Sequence, residues 1–203
     1  PKRLNGWTLE MMEALWEAMA TAAADEATKA VILTGADPYY CAGVNLSATM
    51  KLASPKKLHA MIAEHNQAIF DRFIHFPKPI LVAVNGPAIG ASVTTATLCD
   101  GILASEKATF STPFAALGVT PEGCSSVLFA RLMGEDAAQR MLGPDGWKPT
   151  GTEAKAIGLA QWVFPHDSFL DEAQRIAEEW IRDGYTRTFR GKGTTPEELL
   201  AVN

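Results

Sequence analysis

The chain has 203 residues, 47% of them hydrophobic and 20% charged, with a formal net charge of −5 at pH 7. That length supports one domain with a sizeable core. The acidic balance argues against a nucleic-acid surface, which needs a basic excess to neutralise phosphates, though not against one nucleotide-containing ligand held by a few local cations.

The opening text, Pro1-Lys2-Arg3-Leu4-Asn5, has no initiator methionine and reads like the middle of a protein. Thr8 then predicts the cap of a helix whose apolar residues Leu9, Met12, Leu15, Trp16 and Met19 recur with a helical period. A short apolar strand over 30–34 ends at Gly35, and residues 35–47 are loop-like. Ser54-Pro55 marks a second helix start, with Leu58, Ile62, His65, Ile69 and Phe73 as its stripe. Pro77-Lys78-Pro79 ends that helix.

Ile80-Leu81-Val82-Ala83-Val84 has no polar alternation, the mark of a strand covered on both faces. Asn85-Gly86-Pro87 predicts a turn, and small residues after Gly90 begin another helix. Short strands are expected over 101–104 and 109–111, helices over 125–133 and 152–157, and a last strand at Trp162-Val163-Phe164. Ser168 predicts a cap for a helix with Leu170, Ala173, Ile176 and Ile181 inward. Beyond Asp183 the text turns polar and glycine-bearing, without a clear element. Strands alternating with helices imply β-α-β units in a layered α/β domain.

Cys41, Cys99 and Cys124 lack C-x-x-C spacing and read as reduced, partly buried thiols of a soluble intracellular protein. The four histidines show no ligand spacing, so no metal site is expected. No apolar run approaches a membrane span.

The common phosphate loops and the G-x-S-x-G elbow are absent. Two glycine-marked turns follow strands instead. In Cys41-Ala42-Gly43-Val44-Asn45, small residues let the backbone approach a ligand and present an N–H. Gly86-Pro87-Ala88-Ile89-Gly90-Ala91-Ser92 leads into a helix N-terminus, whose unpaired N–H groups suit a developing oxyanion. Alone, either is a weak signal, since most Ala-Gly turns are only turns and Gly90-Ala91-Ser92 also suits close packing. In the third segment, Glu122 lies between Pro121 and Gly123 amid largely uncharged residues. An apolar setting raises a carboxyl pKa toward values useful for proton transfer. From spacing alone the plainer reading prevails, an exposed glutamate near a helix start, favoured by the dipole.

Tyr40-Cys41-Ala42-Gly43-Val44-Asn45-Leu46 joins the opening pentapeptide, the whole run Phe76 through Gly90, Ala108-Thr109-Phe110-Ser111-Thr112-Pro113-Phe114 and Pro121-Glu122-Gly123-Cys124-Ser125-Ser126 in one ordered set. This set resembles the crotonase (enoyl-CoA hydratase/isomerase) superfamily, most of all its peroxisomal-type Δ3,Δ2-enoyl-CoA isomerases. The resemblance implies a crotonase-like (ClpP/crotonase) α/β spiral of β-β-α units over residues 1–182. Residues 183–203 match poorly and read as an incomplete helical region. Assembly as a trimer or a pair of trimers is also implied.

The resemblance further implies an oxyanion hole from the backbone N–H groups of Val44 and Ala91, and Glu122 as the catalytic acid–base residue. Cys41, Ala42, Gly43, Asn45, Leu46 and Gly90 would line the acyl-CoA groove, and Lys2 and Arg3 would meet the coenzyme A phosphates. Asn45 would steady the loop or the glutamate, or serve only the turn. The two glutamates of the hydratase branch are matched by Thr94 and Phe114, which points to double-bond isomerisation of 3-enoyl-CoA to 2-trans-enoyl-CoA in fatty acid oxidation. No metal or redox cofactor is implied, coenzyme A being part of the substrate. Peroxisome, mitochondrial matrix and bacterial cytoplasm are all compatible. Hydration or another crotonase chemistry, and a non-catalytic acyl-CoA-binding or protein-interaction module, are the alternatives.

Overall fold

The structure is a computed structural model that describes residues 4–44 and 54–203. In chain order it contains α1 (Leu9–Ala24), β1 (Val31–Thr34), α2 (Pro55–His75), β2 (Ile80–Val84), β3 (Ala88–Ile89), α3 (Ala91–Thr97), β4 (Gly101–Ser105) and β5 (Phe110–Ser111). Then follow α4 (Phe114–Leu117), α5 (Ser125–Met133), α6 (Glu135–Leu142), α7 (Gly151–Ala156), β6 (Trp162–Phe164), α8 (Phe169–Arg182) and α9 (Pro196–Val202).

All five residues of β2 are buried, as an uninterrupted apolar run requires. The strand sits inside a parallel sheet of order β1-β2-β4-β6, with Val82 opposite Leu33 on one side and Ile102 on the other. Its side chains alternate between two cores. Ile80, Val82 and Val84 join the larger core, with Ile69, Phe70, Phe73 and Ile74 of α2 and Leu128 and Phe129 of α5. Leu81 and Ala83 face Phe169, Ala173 and Ile176 of α8. Helices therefore cover both faces. β3 and β5 form a separate parallel pair, Ala88 opposite Phe110.

Thr8 caps α1, its side chain accepting from Met11 N–H at 3.2 Å. Ser54 makes no side-chain cap, although Pro55 opens α2 as expected. Ile62 and His65, expected in the buried stripe of α2, are exposed. Among the described side chains it is Ile69, Phe70, Phe73 and Ile74 of its second half that pack on the core. In α8, Leu170 and Ile181 face solvent instead of the sheet. The buried stripe is Phe169, Ala173, Ile176 and Ala177, one residue out of phase with Leu170. In the last turn Trp180 takes the inward role, its ring 6.4 Å from that of Trp162. Ser168 stands at the N-cap of α8 but makes no side-chain cap, ending a 3-10 turn over His166–Ser168. Helices α4 and α6 were not expected. Gly134, at φ 82°, ends α5 and starts α6 with no intervening loop residues to mark the break.

Residues 183–203 fold back onto the body. Arg187 pairs with Asp100 at 2.6 Å, their side chains 9% and 0% exposed. The same guanidinium donates to the carbonyls of Leu98, Phe73 and Phe76 at 2.7, 3.0 and 3.3 Å. Asp100 in turn accepts from the N–H groups of Ile80 and Thr188. Leu199 of α9 is buried in the larger core. Among the described residues no helix is long and apolar enough to cross a membrane.

Breaking a buried ion pair leaves an uncompensated charge, which costs about 3–5 kcal/mol. Arg187→Ala or Asp100→Ala is therefore expected to lower the urea unfolding midpoint strongly. Apolar replacement of both should not restore it, since the carbonyls and N–H groups above would lose their partners. An unchanged midpoint in either single variant would contradict this account.

Candidate active site

Glu122 sits in the turn before α5, and two left-handed residues shape that turn. Gly123 and Cys124 both have φ 61°. Gly123 has no substitute here, because a Cβ would overlap the Phe70 ring from α2. The Glu122 carbonyl accepts from the N–H and the hydroxyl of Ser125, at 3.2 and 2.6 Å. Cys124 Sγ donates to Leu199 O at 3.2 Å, tying the turn to α9.

The carboxyl of Glu122 is partly buried, and burial pushes its pKa up from 4.5 to about 7. Its protein partner is neutral: Asn66 Nδ2 donates to Oε2 at 2.8 Å. Among the described residues no cation pairs with it. One amide does not replace the lost hydration of an anion, so the acid form gains. The plainer reading of an exposed helix-start glutamate is thereby set aside.

Asn66 was not singled out in the sequence, yet a signal is there. Asn is a poor helix former, and here it stands within α2 four residues before Phe70. Residues four apart share a helix face. The face that presses Phe70 under Gly123 therefore also brings Asn66 to Glu122. Asn45, expected to steady the loop or the glutamate or to serve only the turn, lies outside the described residues, as do Leu46, Lys2 and Arg3.

The two glycine-marked turns lie against each other. Gly43 has φ 82°, and a Cβ there would stand 2.6 Å from Ile89 O and 4.0 Å from Gly90 Cα. Cys41 O accepts from Ile89 N–H at 3.0 Å and from Ser92 Oγ at 3.2 Å. Gly43 N–H donates to Cys41 Sγ at 3.3 Å, and Ala42 N–H donates to Leu4 O. Val44 and Ala91 each follow a left-handed glycine. Among the described residues neither N–H has a hydrogen-bond acceptor.

Cys41, Cys99 and Cys124 are buried free thiols. Burial lifts them to about 11, 12 and 11, so they stay protonated at neutral pH. Thr94 is wholly buried, with its hydroxyl donating to Ala91 O at 3.2 Å, and Phe114 is 4% exposed. Neither place offers a carboxylate.

The family model for enoyl-CoA hydratase/isomerase matches residues 1–190. Enoyl-CoA delta isomerase 2 of Rattus norvegicus is 39% identical over 200 residues, which is 90% of this chain and 50% of that protein. Chromodomain Y-like protein of Homo sapiens is 38% identical over 177 residues, 86% of this chain and 29% of that protein. The chain thus spans half or less of the length of these curated relatives. The crystal structure of enoyl-CoA hydratase from Bacillus anthracis superposes with a TM-score of 0.79 at 25% identity, covering 88% of this chain and 68% of that one. The fold is accordingly the crotonase one, with the parallel sheet described above as its frame. A family match over nearly the whole length means that the chain belongs to the enoyl-CoA hydratase/isomerase family of the crotonase superfamily.

Proposed function

We propose that this chain converts 3-enoyl-CoA to 2-trans-enoyl-CoA, with Glu122 moving the proton. The observation that carries this reading is a single carboxyl with a pKa of about 7 beside a neutral amide. At neutral pH such a group is part base and part acid, the condition under which one residue can both take and return a proton. Asn66 occupies Oε2, and among the described residues no side chain donates to Oε1. In the proposed reaction Oε1 takes the C2 proton. The C2–H electrons move into the thioester, giving a dienolate whose oxygen accepts the Val44 and Ala91 N–H groups. Protonation at C4 by the Glu122 acid completes the shift. The thioester itself delocalises the charge, so these steps call on no metal or redox group.

Residues 41–46 and Gly90 would line the acyl-CoA groove, and Lys2 and Arg3 would meet its phosphates. Similarity to enoyl-CoA delta isomerase 2 supports the isomerase reading. Hydration finds support in the names of the structural neighbours, but Thr94 and Phe114 provide no carboxylate to position a water. A non-catalytic acyl-CoA-binding or interaction module is the third reading. Trimeric assembly also belongs to this proposal, and light scattering of the purified protein checks it; a monodisperse monomer would count against it.

Incubation with a 3-enoyl-CoA and product analysis separates the three readings. Isomerisation gives the 2-trans product, hydration a 3-hydroxyacyl-CoA, and a binding module neither. Glu122→Gln is expected to lower turnover by about 10²–10⁴-fold with acyl-CoA binding retained. Glu106→Gln, in an exposed turn, should leave it unchanged. Near-normal turnover of the Glu122 variant would remove Glu122 from the mechanism.

The base form is the carboxylate, so kcat/KM should rise with pH through about 7 and then level off. Stability moves the other way. The carboxyl binds its proton more tightly in the folded chain, so its contribution is full below pH 4.5 and is lost as pH rises through about 7. Glu122→Gln should match the parent protein in acid and exceed it above pH ~8 by up to about 3 kcal/mol, each pKa unit being worth about 1.4 kcal/mol. Denaturant unfolding at the two pH values checks this.

A further inference from the structure

Away from Glu122, a relay of hydrogen bonds runs outward from the sheet. Lys107 N–H donates to Ser105 Oγ at 3.1 Å, Ser105 Oγ lies 3.0 Å from His166 Nδ1, and His166 Nε2 lies 3.0 Å from Asp37 Oδ2. The residue types are those of a hydrolytic triad, but the arrangement is inverted. Ser105 is fully buried at the end of β4, whereas the Asp37 side chain is 60% exposed. The serine also faces Nδ1 and the acid Nε2, the opposite of what a nucleophile and its base require. Ser105 cannot meet a substrate. The relay is an anchor, and what it anchors is Asp37.

Asp37 Oδ1 accepts from Asn85 Nδ2 at 2.7 Å. Asn85 is buried directly after β2, and it also donates to Tyr39 O and accepts from Gly35 N–H. It thus grips residues 35–39 from inside. That loop is pressed against Gly86, where a Cβ would overlap Pro38 O. Tyr40 and Cys41 then donate to Pro87 O at 3.1 and 3.2 Å. From this junction one strand of chain runs to Gly43 and Val44, and the other to Gly90 and Ala91. His166 is itself well held, its ring stacked at 9° on that of the buried Phe169.

We infer that His166 is a positioning residue for the oxyanion site. By holding Asp37 it fixes the Asp37–Asn85 junction, and through it the spacing of the Val44 and Ala91 N–H groups. The tautomer with hydrogen on Nε2 satisfies both partners, Ser105 donating to Nδ1 and Asp37 accepting from Nε2. The inference rests on the reading of those two N–H groups given under Proposed function.

The test uses acetoacetyl-CoA, a 3-ketoacyl thioester whose enolate absorbs in the near ultraviolet, together with turnover of a 3-enoyl-CoA. His166→Phe keeps the stack on Phe169 and loses both hydrogen bonds. Asp37→Ala cuts the relay at its exposed end, where folding is least at risk. His166→Gln restores one donor and one acceptor. Small misplacement of reacting groups costs up to about 10²-fold, so His166→Phe and Asp37→Ala should lower kcat by on the order of tenfold. KM should change little, the bound-enolate absorbance should fall, and His166→Gln should recover much of both. Wild-type absorbance and kcat in folded Asp37→Ala and His166→Phe would overturn the inference. So would a loss that His166→Gln does not recover, which would mark packing alone. If the unaltered protein binds acetoacetyl-CoA without enolate absorbance, the oxyanion reading itself fails, and this inference with it.

Discussion

The feature on which the site depends is a partly buried carboxyl given one neutral partner. Everything around Glu122 serves that condition. Two left-handed residues turn the chain sharply, Phe70 closes the space beneath Gly123, and Ser125 holds the Glu122 carbonyl. Asn66 fixes one oxygen without a counter-charge. A lysine or arginine in its place would hold the carboxylate more firmly and lower its pKa, so that the group would be fully ionised near neutrality. The fold tolerates an unfavourable charge here because it is firmly braced elsewhere, notably by Arg187 and Asp100. Strain and desolvation at a functional site, supported by a rigid surround, is a common division of labour.

The second constraint is close approach of backbone. β1 and β2 are adjacent and parallel, so the loops leaving their carboxyl ends emerge side by side. Such crevices are where open α/β sheets bind ligands. The loop after β1 runs through Gly35 to Gly43, and the loop after β2 runs through Gly86 to Gly90. Gly35, Gly43 and Gly86 have no room for a Cβ, because backbone of the opposing or returning loop fills it. Two neighbouring N–H groups can thus be offered from turns distant in sequence, with no side chain responsible for either.

Much of the frame was legible in the amino-acid sequence because its signals are local. An unbroken run such as residues 80–84 has only one stable environment, and a helix such as α5 carries its own period. What depends on the neighbours was less legible. Ile62, Leu170 and Ile181 are apolar and close to the right spacing, yet solvent-facing, because burial depends on where the sheet ends. The same holds for the site. Pro121-Glu122-Gly123 is visible as a motif, but whether its carboxyl is solvated depends on Phe70 and Asn66, more than 50 residues away in sequence. Asn66 carries only the faint mark of a poor helix former in mid-helix.

Glu122 holds its proton toward neutrality because the fold partly desolvates its carboxyl. Following the side-chain carboxyl carbon of Glu122 by NMR through a pH titration, assigned with the glutamine variant, measures this directly. The account predicts a midpoint at about 7. A midpoint near the ordinary 4.5 would show a solvated carboxylate and contradict it.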